Sequence, residues 1–374
     1  MSENLKPKEW KDRFNSFNSD KIYLHSDKLQ GIADWVNGKR EKPPAPIEVS
    51  FDPIHACNLM CQHCNAHKYL ITGQHRMSDE HILNVVRYLA NWGVKSACFG
   101  GGGEPTLHTK LQEAVELAHS LGMESSLATN GTVMSQELID SMVKHCRYIG
   151  VSVDSATAKT YTIGRKVNLF HNAVQNIAKL VEATKRLKAH CDIAYKFLIF
   201  DYNQHEIFEA CKLAKELGVQ DFHVRPADFR HQGMGELKKH QNDYDVKLIK
   251  EEFDKCHEIE DENFRVYSIV HKFNADFTPK RNFTQCYASP ISIQLCADGN
   301  IYYCPDTRFM EEFKIGTHTN VDDILECWGN KRHKELVTQT ACKTCTSRCT
   351  FSIYNEVCER IFINTDDPFC RNFI

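Results

Sequence analysis

Three cysteines near the start of the chain have the type and spacing to hold a polynuclear metal centre. They lie in Ile54-His-Ala-Cys57-Asn-Leu-Met-Cys61-Gln-His-Cys64, with three residues between the first pair and two between the second. A cubane iron–sulfur cluster has four irons, each about one thiolate bond from its ligand. A short loop with this spacing wraps three of them and does not readily supply a fourth, so one iron stays open to another ligand. Zinc competes for the same residues. Structural zinc takes four protein ligands, often with Cys-x2-Cys pairs, and His63 or His67 would complete such a set.

The chain has 17 cysteines among 374 residues, and their distribution separates two groups. In a long chain with thiols kept reduced, clustered cysteines point to metal rather than to disulfides. Beyond the first three, Cys286, Cys296, Cys304, Cys327, Cys342, Cys345, Cys349, Cys358 and Cys370 crowd the C-terminal part. Cys342-Lys-Thr-Cys345-Thr-Ser-Arg-Cys349 is the densest run, and a zinc ribbon is the competing reading of this tail. Cys296 on a hairpin and Cys327 beside Trp328 read as structural. Cys98, Cys146, Cys191, Cys211 and Cys256, scattered between the groups, read as small buried apolar residues.

The elements that must position these residues follow from apolar periodicity. Candidate strands are Ile47–Phe51, Ser96–Phe99, Glu124–Ala128, Tyr148–Val153, Asp192–Phe200 and Asp221–Val224. Helical spacing runs over Asp79–Asn91, Lys110–Leu121, Gln136–His145, Leu169–Leu187 and Gln204–Leu217, with Gly93, Gly122 and Gly218 placed as stops. Strand–helix alternation implies parallel strands joined by crossover helices. Six such units make most of a barrel and leave it open, with reactive groups at the C-terminal strand ends. The expected fold is therefore α/β, a partial, TIM-like (β/α)6 barrel, followed by a small Cys-rich α+β domain. Residues 1–46, ending in Pro43-Pro44-Ala45-Pro46, read as an N-terminal extension and linker. The barrel takes 47–235, a helical linker 236–279, and the Cys-rich domain 280–374. In that last part, Ser292–Leu295 and Asn300–Tyr303 flank Asp298-Gly299 as a hairpin, and Val321–Trp328 reads as a helix capped by Asn320.

Bulk properties narrow the function classes. The formal charge is −3, with no long Lys/Arg block, which argues against nucleic acid or an anionic membrane as a partner. The polar start MSENLKPKEW carries no secretory segment, and no stretch has the apolar length to span a bilayer, so the expected location is the cytoplasm.

Cys-x3-Cys-x2-Cys at the end of a first strand resembles the radical S-adenosylmethionine (SAM) superfamily. The resemblance implies a 4Fe–4S cluster on Cys57, Cys61 and Cys64 whose open iron is chelated by SAM. Reductive cleavage of SAM then yields a 5′-deoxyadenosyl radical that removes hydrogen from an unreactive C–H bond. Further matches fall in order along the chain. Gly101-Gly102-Gly103-Glu104-Pro105 follows the second strand, where the family's Gly-Gly-Glu binds the methionyl amino group. Glycines there let backbone carbonyls approach, and a carboxylate pairs with an ammonium. Thr129 and Asn130 end the third strand and resemble the segment lining the SAM site. Ser152 and Asp154 end the fourth, where ribose contacts are common. Arg165, in the loop leading to the next helix, stands where relatives use Arg on the SAM carboxylate. Val224-Arg225-Pro226 ends the sixth strand and could offer a backbone contact to adenine, although Phe197–Phe200 lacks the family's Gly-rich adenine signature.

The tail resembles the SPASM/twitch extension, which carries one or two auxiliary 4Fe–4S clusters. A one-cluster arrangement fits Cys286, Cys304, Cys342 and Cys345. Cys349 and Cys370 are rivals for a place in it, or members of a second cluster, because the tight two-cluster spacing is missing. The resemblance implies an oxidoreductase in which an auxiliary cluster accepts an electron; a small polar substrate such as a sugar, aminocyclitol or nucleotide-linked compound is expected because residues 1–46 are short for the peptide-recognition domain many peptide maturases use. A flavodoxin or ferredoxin would supply electrons. A peptide or protein maturase, an epimerase using Cys98 or Cys296, a methyltransferase, and a non-catalytic iron–sulfur or zinc scaffold remain alternatives. Oxidation also needs a base, and Lys196, His223 and Asp228 lie near predicted strand ends.

Overall fold

The computed structural model of the chain describes residues 19–66, 70, 75–228, 242–287, 289–340, 345 and 348–363. One ten-stranded sheet organises them, in the order β10-β9-β8-β1-β2-β3-β4-β5-β6-β7. The strands are β1 Glu48–Asp52, β2 Ser96–Phe99, β3 Glu124–Thr129, β4 Cys146–Ser152, β5 Asp192–Ile199, β6 Asp221–Pro226, β7 Arg265–Ser268, β8 Ser292–Cys296, β9 Asn300–Tyr302 and β10 Lys314–Thr317. Each of β1 to β6 pairs parallel with the next, and β6 pairs parallel with β7. The sheet does not close on itself, as expected for a partial barrel.

Alternation along the strands explains why this sheet has a dry face and a wet one. Phe99, Leu127, Ile149, Val151, Tyr195, Phe197, Phe222 and Val224 are buried in the core. The residues between them, Cys98, Ser152, Lys196, His223 and Arg225, are polar or small and only partly buried. A pleat sends alternate side chains to opposite faces, so one face packs under helices and the other lines the lumen. The helices Asp79–Trp92, Gln136–His145 and Phe170–Leu187 bury one stripe each, including Val85, Leu89, Ile139, Met142, Ile177 and Leu180. Ser78 and Ser135 cap the first two by accepting from His81 N and Leu138 N. Gly93 and Gly218 end their helices as expected.

Several boundaries differ from the sequence reading. Of the N-terminal extension, the described residues, 19–46, pack against the core. Helix Ser26–Val36 buries Leu29, Ile32, Ala33 and Trp35, and Trp328 Nε1 donates to Pro44 O at 2.9 Å. The region read as a helical linker contains helix Val246–Glu258 but also β7, which extends the parallel run beyond six. Its four-residue length gives too little periodicity to recognise. The Cys-rich part shares the sheet of the barrel, because β8 pairs parallel with β1 from Glu48↔Ser292 to Asp52↔Cys296. The hairpin β8–β9 forms as expected. The helix near 321 is shorter, Asp323–Cys327, and Asn320 does not cap it; its Oδ1 accepts from Asp322 N at 3.4 Å in the preceding turn. Cys146, Cys191, Cys211 and Cys256 are buried as expected, whereas Cys98 is only partly so.

Candidate functional site

The three motif cysteines sit on the loop that leaves β1. They line a cavity of about 290 Å³ at the C-terminal ends of β1 to β6, together with Gly102, Gly103, Glu104, Thr129, Asn130, Ser152, Asp154, Arg165 and Arg225. Every SAM-site residue expected from the sequence therefore borders one pocket, although the twelve are spread over 169 positions, from 57 to 225.

The glycine run positions the cysteine loop directly. A Cβ on Gly103 would stand 2.3 Å from Ala56 O and 2.4 Å from Ile54 O, and one on Gly102 would stand 2.2 Å from Asp52 Oδ2. Glu104 N donates to Ala56 O at 2.9 Å. The missing side chains let two loops lie against each other, a role in addition to the approach to ligand expected from the sequence. The Glu104 carboxylate is buried and fully engaged. Oε1 accepts from Thr129 Oγ1 at 2.6 Å and Thr106 Oγ1 at 2.8 Å, and Oε2 accepts from Asn130 N at 2.7 Å. Burial pushes its carboxyl above the usual range despite these donors.

Each motif sulfur has an N–H donor nearby. Arg165 Nη1 donates to Cys61 Sγ at 3.2 Å, Ala66 N to Cys64 Sγ at 3.4 Å, and Asn130 Nδ2 lies 3.9 Å from Cys57 Sγ. Burial pushes the Cys57 thiol up to about 11 and the Cys64 thiol up to about 12. Such thiols ionise when a metal takes the sulfur lone pair, and N–H donors then tune the thiolates. Zinc would gather its donors about one point. Among the described residues, no group of three or more Cys, His, Asp or Glu side chains does so.

Arg165 lies in the last turn of helix Ala158–Arg165 rather than in a loop leading to a helix. The short segment has only two turns, too few for a clear periodic signal. Besides Cys61, it donates from Nη2 to Ser152 O at 2.8 Å and Asp154 Oδ2 at 2.6 Å. Asp154 also accepts from Leu198 N at 2.7 Å, and His63 Nε2 lies 3.3 Å from its Oδ2. Both oxygens of Asp154 are thus engaged within the protein. Burial works against its ionisation, but Arg165 and His63 hold the carboxyl below the usual range. Burial pushes His63 down against the opposing pull of Asp154, and the ring packs against Phe200 with centroids 4.4 Å apart.

His63, Phe200 and Arg348 are site-lining residues that the sequence reading did not assign. His63 stands inside the cysteine motif, which was signal enough. Nothing local marks Arg348, 123 positions beyond Arg225. Of the base candidates, Asp228 lines the pocket, while Lys196 and His223 lie deeper in the lumen, opposite each other across β5 and β6.

A second thiol group forms where the tail folds back. Asn355 Nδ2 donates to Cys349 Sγ at 3.5 Å and lies 3.8 Å from Cys286 Sγ. Burial, then Asp306, Cys345 and Cys286, push the Cys304 thiol up, and burial, then Cys286, Asp306 and Cys345, push the Cys349 thiol up, so the four sulfurs are neighbours. Cys342 and Cys370 lie outside the described residues. Cys296 is fully buried beside the Gln294 amide, and Cys327 Sγ contacts Ile324 O at 3.3 Å within its helix.

A family model of the radical SAM superfamily matches residues 52–244, just over half of the chain. The chain belongs to the radical SAM superfamily. As a radical SAM protein it takes SAM and a 4Fe–4S cluster, and the three-thiol cradle fits that cluster. Its relatives are diverse. The SAM-dependent nucleotide dehydratase of Flammeovirga pacifica is 31% identical over 128 residues, covering 33% of this chain and 44% of that protein, so the match spans under half of the relative. A probable GTP 3′,8-cyclase of Saccharolobus islandicus (strain M.14.25 / Kamchatka #1) is 26% identical over 286 residues, 73% of this chain and 83% of the other. Among solved structures, Streptococcus suis SuiB bound to SAM superposes with TM-score 0.64 at 15% identity, covering 88% of this chain and 77% of that one. Native anSMEcpe with bound AdoMet gives 0.59 at 18% identity, covering 80% and 86%. These likenesses are of fold. The 88% coverage carries the shared fold beyond the family-matched segment into the Cys-rich tail. Among the described residues, no helix is long and apolar enough to cross a membrane.

Proposed function

We propose that this radical SAM enzyme is an oxidoreductase that dehydrogenates a small polar substrate. The reading rests on one observation: Arg348 lines the pocket, and the next residue, Cys349, belongs to the second thiol group. In this reading Cys57, Cys61 and Cys64 hold the cluster for SAM. Cys286, Cys304, Cys345 and Cys349 hold an auxiliary 4Fe–4S cluster, Cys349 taking the place the resemblance gives to Cys342, with Cys342 and Cys370 as rivals for that place. When bound, these groups supply hydrogen-atom abstraction from an unreactive C–H bond and an acceptor for the electron left behind.

The chain's own residues do the rest. Glu104, oriented by Thr129 and Asn130, meets the SAM ammonium. Arg165 donates toward Cys61, and Asp154 with His63 holds the guanidinium in place. Gly102 and Gly103 keep the cysteine loop seated. The proton released on oxidation goes to a lumen base, and Asp228, Lys196 and His223 are the candidates. The names of the dehydratase and cyclase relatives favour a nucleotide-linked small molecule. A flavodoxin or ferredoxin is the proposed electron donor.

Anaerobic reconstitution followed by SAM, dithionite and candidate substrates tests this reading. Formation of 5′-deoxyadenosine with a ketone or aldehyde lacking two hydrogens supports it. A metal-loaded but inert protein, or a product heavier by a methyl group, refutes it. A peptide substrate is the second reading, because the shared fold includes SuiB bound to precursor peptide SuiA and anSMEcpe bound to a peptide. Crosslinked or oxidised peptide product would favour it.

A further inference from the structure

One wall of the pocket gathers positive charge that, among the described residues, no carboxylate pairs with directly. Arg225, at the end of β6, and Arg348, in the tail, both line the pocket. Lys272 joins them: its Nζ donates to Thr350 O at 2.9 Å, and Arg348 Nη1 donates to Thr350 Oγ1 at 3.3 Å. Lys196 approaches from the lumen. The register pairs Lys196 with His223 and Leu198 with Arg225, so the pleat sends all four to one face.

Among the described residues, no carboxylate stands within 4.0 Å of the charged nitrogens of Arg225, Arg348, Lys272 or Lys196. The neighbouring acids, Asp228 and Asp306, offset part of this charge without pairing with it directly, and both also hold the chain. Asp228 Oδ2 accepts from Arg348 N at 2.6 Å, and Asp306 accepts from Thr350 N and Thr350 Oγ1. Burial, with Arg348 adding its charge, pushes Arg225 down to about 9 and Lys272 down to about 7. Partly buried cations that repel one another gain when an anion joins them. Arg also presents a planar fork matched to two oxygens of one group.

We propose that Arg225 and Arg348, backed by Lys272, form an oxyanion subsite for the substrate, so that the enzyme acts on a small phosphorylated or carboxylated molecule anchored by its anionic end, with its reacting C–H bond toward Cys57, Cys61 and Cys64. The inference rests on the reading of this pocket as the substrate site of a radical SAM oxidoreductase. It adds the substrate's charge class and the residues that select it.

The test uses the full-length reconstituted protein without SAM or reductant. Inorganic pyrophosphate and glutarate are titrated separately by calorimetry at low salt. Saturable binding of one probe is expected, and which one binds separates a phosphoryl from a carboxylate group. Arg348→Ala and Lys272→Ala each weaken that binding at least tenfold, Arg348→Lys loses less, and the exposed Lys247→Ala changes nothing. Circular dichroism checks that each variant is folded. Absence of binding for both probes overturns the proposal. So does unchanged affinity in both alanine variants accompanied by a shifted reduction potential of the auxiliary cluster, because the cations would then serve that cluster. Formation of 5′-deoxyadenosine is measured apart, so failure of the enzyme reading is seen independently of the anion result.

Discussion

Replacing Gly103 with alanine tests how the site is built. The added Cβ would stand 2.3 Å and 2.4 Å from the carbonyl oxygens of Ala56 and Ile54, which are backbone atoms just before Cys57. Neither oxygen can swing aside as a side-chain tip would, so the two loops must separate by roughly 1 Å, a displacement that costs about 100-fold in rate when it misplaces reacting groups. Overpacking of this kind costs ~1–3 kcal/mol of stability. The Glu104 N to Ala56 O bond that ties the loops is strained by the same movement. Gly103→Ala should therefore bind less iron and sulfide after reconstitution and form 5′-deoxyadenosine about 100-fold more slowly. Gly122→Ala is the control. Its φ is +80 and nothing lies within 4 Å of an added Cβ, so it costs about 1 kcal/mol of backbone strain with iron content unchanged. Wild-type iron content and SAM cleavage in Gly103→Ala would show that the loops do not depend on this close approach.

Arg165→Ala leaves buried Asp154 with only His63 and Leu198 N as partners and should destabilise the protein by ~1.5–3 kcal/mol in urea unfolding, while Arg165→Lys restores part of it. Because Asp154 is held below its ordinary value, its contribution is fully present above about pH 4 and is lost as the pH falls through the lowered value. An Arg165→Ala protein whose urea midpoint matches wild type at pH 7 and pH 3 would contradict this. Glu104→Gln removes a charge-assisted bond worth ~1.5–3 kcal/mol, so SAM affinity, read by calorimetry on reconstituted protein, should fall about 10- to 100-fold. Cys349→Ala should lower iron and sulfide by one cluster's worth while 5′-deoxyadenosine still forms. The triple replacement of Cys57, Cys61 and Cys64 by alanine should keep the auxiliary iron and form none.

Local pattern was enough for the barrel and for placing Cys57, Cys61 and Cys64 on one pocket. Cys57, Cys61 and Cys64 are neighbours in the chain, so their spacing alone restricts what they can hold. Strands β1 to β6 announce themselves because each alternates between a helix-covered face and a lumen face, and Glu104 and Asn130 follow as strand-end residues. What the alternation could not express was pairing between distant segments. That Trp35 belongs to the core, that β8 continues the sheet beside β1, and that Arg348 reaches the pocket wall near Arg225 are outcomes of packing. Asp154 shows the same limit. Its place after β4 was readable, but its commitment to Arg165, His63 and Leu198 N depends on how three elements meet. Sequence by itself determined the reactive groups and the strands that carry them, because both are short-range. Only the tertiary structure decided which cations crowd one wall of the pocket, because burial and charge balance are sums over every element that closes around a site.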